Sequence, residues 1–182
     1  MVDELLSDRE REEALREWWR DNWAWIMGGV VLGLAMLVGW HYLGIHRQTQ
    51  AESAGQLYSD IAAAVAAGDA AKAQEKLTAL VGDYDSSAYA QQGRLLLAKV
   101  HVDAGKFADA QSLLREVQQK SKDKELAAVA TLRLARLLIQ EGKHDDAVKL
   151  LEPLTAGGFG AQAREIRGDA LFAKGDAEGA RA

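Results

Sequence analysis

A long uninterrupted apolar run lies near the start of the chain. Its 21 residues, 23–43, include no Asp, Glu, Lys or Arg. A helix rises about 1.5 Å per residue, so a run of this length spans roughly 30 Å, the thickness of bilayer hydrocarbon. Aromatic residues cluster at both ends, as is typical of the two membrane interfaces: Trp18, Trp19, Trp23 and Trp25 before the core of the run, and Trp40 and Tyr42 after it. The pattern predicts a transmembrane helix over residues 23–43.

The basic residues around this run predict its orientation. Four arginines precede it, whereas the first twenty residues after it contain only Arg47. Because Lys and Arg near a span are retained in the cytoplasm, we expect a cytoplasmic acidic tail over residues 1–22 and an exported, periplasmic part over residues 44–182. The long acidic lead-in and the lack of an A-x-A-like site after the run favour an uncleaved anchor over a signal peptide.

Small residues recur within the apolar run. Gly29 and Gly33 are four positions apart, and Ala35 and Gly39 repeat this spacing. Such a face lets a second membrane helix approach closely. Glycine is also common in membrane helices that have no such contact. Gly29 and Gly33 are therefore candidates for a membrane-helix contact, and both interpretations stay open.

Beyond residue 45 the apolar positions follow a helical period that a recurring turn interrupts. Each turn has a Gly followed five residues later by an Ala, and the intervals between glycines are 37, 37 and 33 residues. Gly ends a helix where a left-handed backbone is needed, and Ala suits a close helix crossing. Periods near 34 with this arrangement are typical of tetratricopeptide repeats. The four turns are Gly68 with Ala73, Gly105 with Ala110, Gly142 with Ala147, and Gly175 with Ala180.

These two patterns predict the fold class. We expect an all-α protein with a single N-terminal transmembrane helix, followed by a tetratricopeptide-like right-handed α-solenoid of about four helix pairs. A repeat array needs a closing helix over its last apolar face, so we expect the natural protein to continue past Ala182, with the last helix cut short here. The predicted helices cover residues 47–67, 69–81, 87–104, 107–119, 124–141, 144–155 and 161–174, with another from about 177.

Charge and composition exclude several classes of function. The net charge of −5 divides into −4 over residues 1–22 and −1 over residues 44–182. Nucleic-acid binding requires a basic surface that this balance does not provide. The chain has no Cys, which excludes disulfides, thiolate zinc sites and Cys nucleophiles. Its four histidines do not have the spacing that places two metal ligands on one helix face, so we expect no metal site.

No motif for catalysis or cofactor binding emerges. The Gly-Gly-Phe-Gly segment at residues 157–160 superficially matches a dinucleotide-binding loop, but such a loop follows a strand and here helices flank it. Neighbouring acids, Asp83 with Asp85 and Asp145 with Asp146, fall near predicted helix ends, where capping and the helix dipole account for them. G-x-S-x-G and P-loop motifs are absent. We therefore predict neither an enzyme nor a cofactor.

The remaining candidate is a binding surface on the repeats. When the repeats are aligned on the turn Gly, the positions ten, six and three residues before it fall on the inner, concave face. Apolar residues at helical spacing usually form core, whereas large exposed apolar patches are often functional, so core and client groove both stay open. The candidate protein-binding groove comprises Tyr58, Leu95, Lys99, Val102, Leu132, Arg136, Ile139 and Phe172.

Three features together carry a resemblance to a known family. An acidic tail precedes a Gly-rich anchor that ends near Gly39, Trp40 and Tyr42, and a degenerate repeat domain follows. Residues 132–136 read Leu-Arg-Leu-Ala-Arg. Residues 166–176 read Ile-Arg-Gly-Asp-Ala-Leu-Phe-Ala-Lys-Gly-Asp, and Gly-Ala-Arg follows at 179–181. Over essentially its whole length the chain resembles the ancillary subunits of the bacterial Sec translocon, the YfgM-like family.

This resemblance implies an inner-membrane protein of Gram-negative bacteria whose repeat domain faces the periplasm. It implies two partners, the Sec translocon channel and a membrane-anchored parvulin-like periplasmic chaperone, and a role in assisting secreted and envelope proteins as unfolded clients. Two other functions stay open. One is an adaptor in envelope assembly, and the other is a regulator that binds a cytoplasmic signalling protein through residues 1–22.

Overall fold

A computed structural model describes the backbone of residues 2–181 and the side chains of residues 10–180. This part of the chain contains helices and no strand, which confirms the predicted all-α fold. The side chains of residues 1–9, which belong to the predicted acidic tail, and any continuation past Ala182 lie outside the described residues. The helices are α1 (Val2–Ala66), α2 (Ala70–Tyr84), α3 (Ala88–Asp103), α4 (Phe107–Lys120), α5 (Lys124–Gln140), α6 (His144–Leu151) and α7 (Gly160–Lys174), with 3-10 turns at Glu152–Leu154 and Gly179–Arg181.

The chain divides into two compact units, Met1–Thr49 and Gln50–Ala182, and α1 contributes to both. In the first unit the apolar run is helical throughout, and most of its large side chains are exposed; Trp25 and Trp40 are 84% and 83% exposed. A helix of a soluble domain would bury one apolar face against a core, whereas lipid covers all sides of a spanning helix. Among the described residues, α1 alone is long and apolar enough to cross a membrane.

Four glycine turns of the same type organise the second unit, the repeat domain. Gly68, Gly105, Gly142 and Gly175 have φ values of 74°, 73°, 78° and 95°. At Gly142 the backbone N–H donates to the carbonyl of Ile139 at 2.9 Å, and the next N–H, of Lys143, donates to the carbonyl of Leu138 at 2.8 Å. The same pair of bonds closes the helix before each of the other three glycines. This is the Schellman arrangement, and it confirms the predicted left-handed turns.

The alanines five residues after the glycines allow close helix packing. Ala73, Ala110 and Ala147 have no exposed surface, because each lies where the second helix of a pair crosses the first. Larger apolar side chains complete two adjoining clusters. Around α2 and α3 the cluster includes Ile61, Leu77, Leu80 and Leu97, and from α3 to α7 it includes Leu114, Val117, Leu134, Leu151 and Ile166.

Three elements differ from their predicted bounds. Helix α2 continues one turn beyond residue 81, because Val81 and Tyr84 pack against the core. Helix α6 ends at Leu151 rather than at 155, because Pro153 has no N–H to donate and its ring clashes within a helix. The helix expected from about 177 is instead the 3-10 turn Gly179–Arg181 among the described residues. Within the described residues, the fourth repeat comprises α7 and this turn.

The glycine turns lead to a stability prediction. Gly142→Ala forces a side chain into a left-handed conformation, so we expect it to lower the free energy of unfolding by about 1–2 kcal/mol. Urea unfolding followed by circular dichroism measures this loss. Gly82 is the matched control, because it lies within α2 and has open space where a Cβ would be. Gly82→Ala should leave stability unchanged or raise it by up to about 1 kcal/mol. Equal losses in both variants would contradict the role of the turn.

Candidate protein-binding groove

A groove lies between α3 and α5, the first helices of two successive pairs. Its volume is about 360 Å³. In helical repeat proteins the first helices of the pairs line the concave face of the array, and these proteins bind their partners there. We call it the α3–α5 groove, and its lining residues are Ala98, Lys99, Val102, Leu114, Arg133, Arg136, Leu137 and Gln140.

The floor of the α3–α5 groove is apolar. Ala98, Leu114 and Leu137 come from α3, α4 and α5 and are almost fully buried, and the half-buried Val102 packs against the same core. Little of these side chains is open to water. An apolar group that enters it would therefore meet packed side chains on several sides.

The rim of the α3–α5 groove is basic. Lys99 on α3 donates from Nζ to Asp103 Oδ2 at 2.8 Å. On α5, Arg133 donates from Nη1 to the carbonyl of Leu95 at 3.4 Å. Arg136 is exposed and makes no hydrogen bond or ion pair with any other residue that the structure describes. A guanidinium has five N–H donors, so Arg136 retains its full capacity to bind a carboxylate.

Three of the residues proposed from the sequence meet in this groove, namely Lys99, Val102 and Arg136. Leu95 and Leu132, ten residues before their turn glycines, are only 7% and 5% exposed and lie in the core cluster. Ile139 is half-buried against that cluster. On α3 and α5, the residue six positions before the turn glycine thus faces the groove, whereas the residue ten positions before it packs against neighbouring helices.

The other proposed residues lie elsewhere. The ring of Tyr58 packs on that of Tyr89, with 5.9 Å between centroids. Phe172 is 72% exposed on α7 and lines a separate hollow of about 350 Å³. In the first unit, a Cβ at Gly29 or Gly33 would have no described atom within 4 Å apart from the adjoining residues and the backbone of its own helix. This glycine face is therefore open.

Sequence reasoning missed two polar residues of the groove, Arg133 and Gln140. They lie three residues before and four residues after Arg136 on α5, so all three share one helix face. Helical spacing from Arg136 was the signal that could have found them. The alignment on turn glycines considered three positions in each repeat, and these two were not among them.

A second missed feature is a buried charge. Arg94 on α3 is 1% exposed, and its guanidinium donates to Glu116 Oε2 at 3.0 Å, to Gln91 Oε1 at 3.3 Å and to the Asp85 carboxylate. Lys120 Nζ donates to the other oxygen of Asp85 at 3.1 Å. These five residues, the Arg94 cluster, connect the α2–α3 turn, α3 and α4. An Arg between Gly and three leucines, at residues 93–97, was the only signal in the sequence.

The electrostatics of the Arg94 cluster favour ionised partners. The hydrogen bond from Arg94 lowers the pKa of the Asp85 carboxyl below its ordinary value; burial opposes this shift, and Lys120 adds to it. Each ionised group in the cluster has partners of opposite charge. A buried guanidinium is tolerated only when its donors are satisfied in this way. Internal pairing therefore accounts for every charged group of the cluster.

The described side chains do not include a group of three or more His, Asp or Glu that could hold a metal. Asp145 and Asp146 lie in the first turn of α6, and Asp145 accepts a hydrogen bond from Lys174 on α7 at 2.5 Å. The hydrogen bond from Lys174 lowers the pKa of the Asp145 carboxyl. These acids thus complement a helix N-terminus and link two helices.

Comparison with known proteins identifies the family. The family model for a tetratricopeptide repeat-like domain matches residues 16–182. An "Ancillary SecYEG translocon subunit" of Escherichia coli (strain K12) is 33% identical over 177 residues, which are 96% of this chain and 84% of that protein. The chain belongs to the family of ancillary SecYEG translocon subunits.

Other members of the ancillary-subunit family are more distant but similar in extent. A protein of the same name from Haemophilus influenzae is 27% identical over 94% of this chain and 83% of its own length. Another, from Neisseria gonorrhoeae, is 28% identical over 93% of this chain and 81% of its own length. The likeness therefore covers the anchor and the repeat domain together, and it confirms the resemblance found in the sequence.

The Arg94 cluster leads to a prediction about pH. Asp85→Asn should lower the free energy of unfolding at neutral pH by about 1–2 kcal/mol, because a charged partner of buried Arg94 is lost. The lowered pKa means that Asp85 contributes stability above its unfolded pKa and loses it as pH falls through the folded pKa. The variant should therefore lose less stability than the wild type between neutral pH and about pH 3.

Asp83 provides the matched control for this measurement. It is exposed, lies two residues before Asp85, and has no hydrogen bond or ion pair within the described part of the chain. Asp83→Asn should change the free energy of unfolding by less than about 0.5 kcal/mol at either pH. Urea unfolding of the wild type and both variants, at neutral pH and at about pH 3, gives the free energies of unfolding to be compared. Identical acid sensitivity of Asp85→Asn and the wild type would refute the assignment.

Proposed function

We propose that this protein is a single-pass inner-membrane subunit associated with the Sec translocon. Its repeat domain acts in the periplasm as a protein-binding scaffold. There it links the channel to a membrane-anchored parvulin-like chaperone and assists secreted and envelope proteins in transit. The observation that carries the proposal is the family membership, because relatives covering 93–96% of this chain are named ancillary SecYEG translocon subunits.

The anchor supports the membrane location and the topology. The exposed apolar side chains of α1 would be unfavourable in water, and a bilayer removes them from it. Arginines precede the run and a single Arg follows it within twenty residues, which favours a cytoplasmic N-terminus and a periplasmic C-terminal part. The domains are then the cytoplasmic tail 1–22, the span 23–43 and the periplasmic part 44–182.

The repeat domain supports a binding role over catalysis. Its charged clusters are satisfied by internal partners, whereas an active site needs groups held in perturbed but available states. One concavity among its described residues, the α3–α5 groove, combines an apolar floor with a basic rim. Such a surface can hold a protein segment without acting on it chemically.

Co-purification tests this proposed function. A C-terminally tagged full-length protein is expressed in its own bacterium, membranes are gently solubilised, and bound proteins are identified by mass spectrometry. We expect Sec channel subunits and a membrane-anchored parvulin-like isomerase to be recovered together. Recovery of neither would contradict the proposal, because association with both is its central claim.

One variant and one further outcome of this experiment separate the alternatives. Deletion of residues 1–22 should leave both partners bound if the repeat domain and anchor carry the function. If that deletion removes the principal partner and the partner is cytoplasmic, the regulator hypothesis replaces the proposal. Recovery of outer-membrane assembly proteins without Sec subunits would instead favour the envelope-assembly adaptor.

The open glycine face of the anchor gives a further prediction. We propose that Gly29 and Gly33 contact a helix of a membrane partner, because small residues at this spacing allow close backbone approach. Gly33→Leu should reduce the co-purified amount of that partner several-fold. Gly28→Leu is the matched control, because Gly28 is equally open but lies about 100° around the helix from Gly29. Unchanged recovery of every membrane partner with Gly33→Leu would exclude this contact.

A further inference from the structure

We infer that the α3–α5 groove binds an extended, unfolded protein segment in which one large apolar side chain has Asp or Glu on both sides. The inference rests on the proposed scaffold function, because it names the chemistry of the segment that such a scaffold holds. Three properties of the groove carry it: the size and apolarity of its floor, the sign of its rim charge, and the placement of that charge on both walls.

The floor selects one large apolar side chain. At about 360 Å³ the groove is near the lower end of the range of ligand sites, roughly 300–1,000 Å³. A folded domain cannot enter such a space, whereas a side chain from an extended segment can. Leu114 and Leu137 are almost fully buried, so a group must insert between the walls to contact them. Removal of the inserted apolar surface from water favours binding.

The rim selects acidic neighbours. Lys99, Arg133 and Arg136 place three cations at the groove, and Asp103 is the acid paired with one of them. This local excess of positive charge contrasts with the net charge of −1 over residues 44–182 as a whole. Charge complementarity therefore favours a ligand that carries carboxylates. Arg136 retains its donors and can form the bidentate pair that guanidinium and carboxylate favour.

The two walls favour an internal segment over a chain terminus. Lys99 belongs to α3, on one side of the floor, whereas Arg133 and Arg136 belong to α5, on the other. An apolar residue with acids on both sides in sequence can direct a carboxylate to each wall. A single terminal carboxylate would reach only one wall. The groove is therefore assigned to Asp/Glu–apolar–Asp/Glu segments within unfolded polypeptides.

A series of peptides tests this assignment. The full-length protein is reconstituted in lipid nanodiscs, which avoids detergent in the groove, and binding of fluorescein-labelled peptides is followed by anisotropy. The probe is an acetylated and amidated Gly-Ser peptide with a central Asp-Leu-Glu. Matched peptides carry Asn-Leu-Gln, Asp-Ser-Glu or Lys-Leu-Lys. We expect the probe to bind about fivefold or more tightly than each matched peptide, and to weaken as salt is raised.

Protein variants locate the binding site. Arg136→Glu should weaken binding of the Asp-Leu-Glu peptide about fivefold or more, because it reverses a rim charge. Arg167 on α7 is the matched control, since it is exposed and does not line the groove. Arg167→Glu should change the affinity less than about twofold. The peptide series on wild-type protein does not depend on either variant folding.

Three results would overturn the inference. The first is equal affinity for the Asp-Leu-Glu and Asn-Leu-Gln peptides, or no binding of either. The second is equal affinity of Arg136→Glu and wild-type protein for the probe. The third is tighter binding of a Gly-Ser-Leu peptide with a free C-terminal carboxylate. Recovery of Sec subunits is measured separately for the same wild-type and variant proteins by co-purification from solubilised membranes, so a failed groove ligand is distinguishable from a failed scaffold function.

Discussion

The left-handed glycine determines the architecture of the repeat domain. Its backbone conformation allows two consecutive N–H groups to bond carbonyls of the preceding helix, so the chain reverses without unsatisfied polar groups. The reversal then fixes which residues of the second helix meet the first. Ala73, Ala110 and Ala147 occur at the crossing because a longer side chain would separate the helices. Core and groove both follow from this repeated geometry.

The α3–α5 groove exists because successive pairs repeat the same turn after the same number of residues. The 37-residue intervals from Gly68 to Gly105 and from there to Gly142 place Lys99 and Arg136 at equivalent positions on neighbouring helices. Their side chains therefore stand across one floor. The Arg94 cluster lies at a different set of positions and joins α3 to α4, so charge has separate roles in the two places.

Features with a local physical cause were predictable from the sequence. The turn glycines and the apolar run each leave a signal in neighbouring residues, and the left-handed turns and the helical conformation of the run were both confirmed. The division between core and groove was less accessible, because Leu95 and Val102 share one helical period and only packing against other helices separates them. Arg94 was missed because its burial depends on Glu116, 22 residues away. The early end of α6 was predictable from Pro153, because proline has no N–H to donate and its ring clashes within a helix.

The buried position of Arg94 also affects how the domain unfolds. Repeat arrays are held by contacts between neighbours, so in principle they can lose one helix pair at a time. Separation of α4 from α3 would remove Glu116 and Lys120 from the cluster while Arg94 stayed partly buried, and a desolvated charge without its partner is costly. Intermediates with that arrangement are disfavoured. Helices α2, α3 and α4 should therefore unfold together, as one cooperative unit.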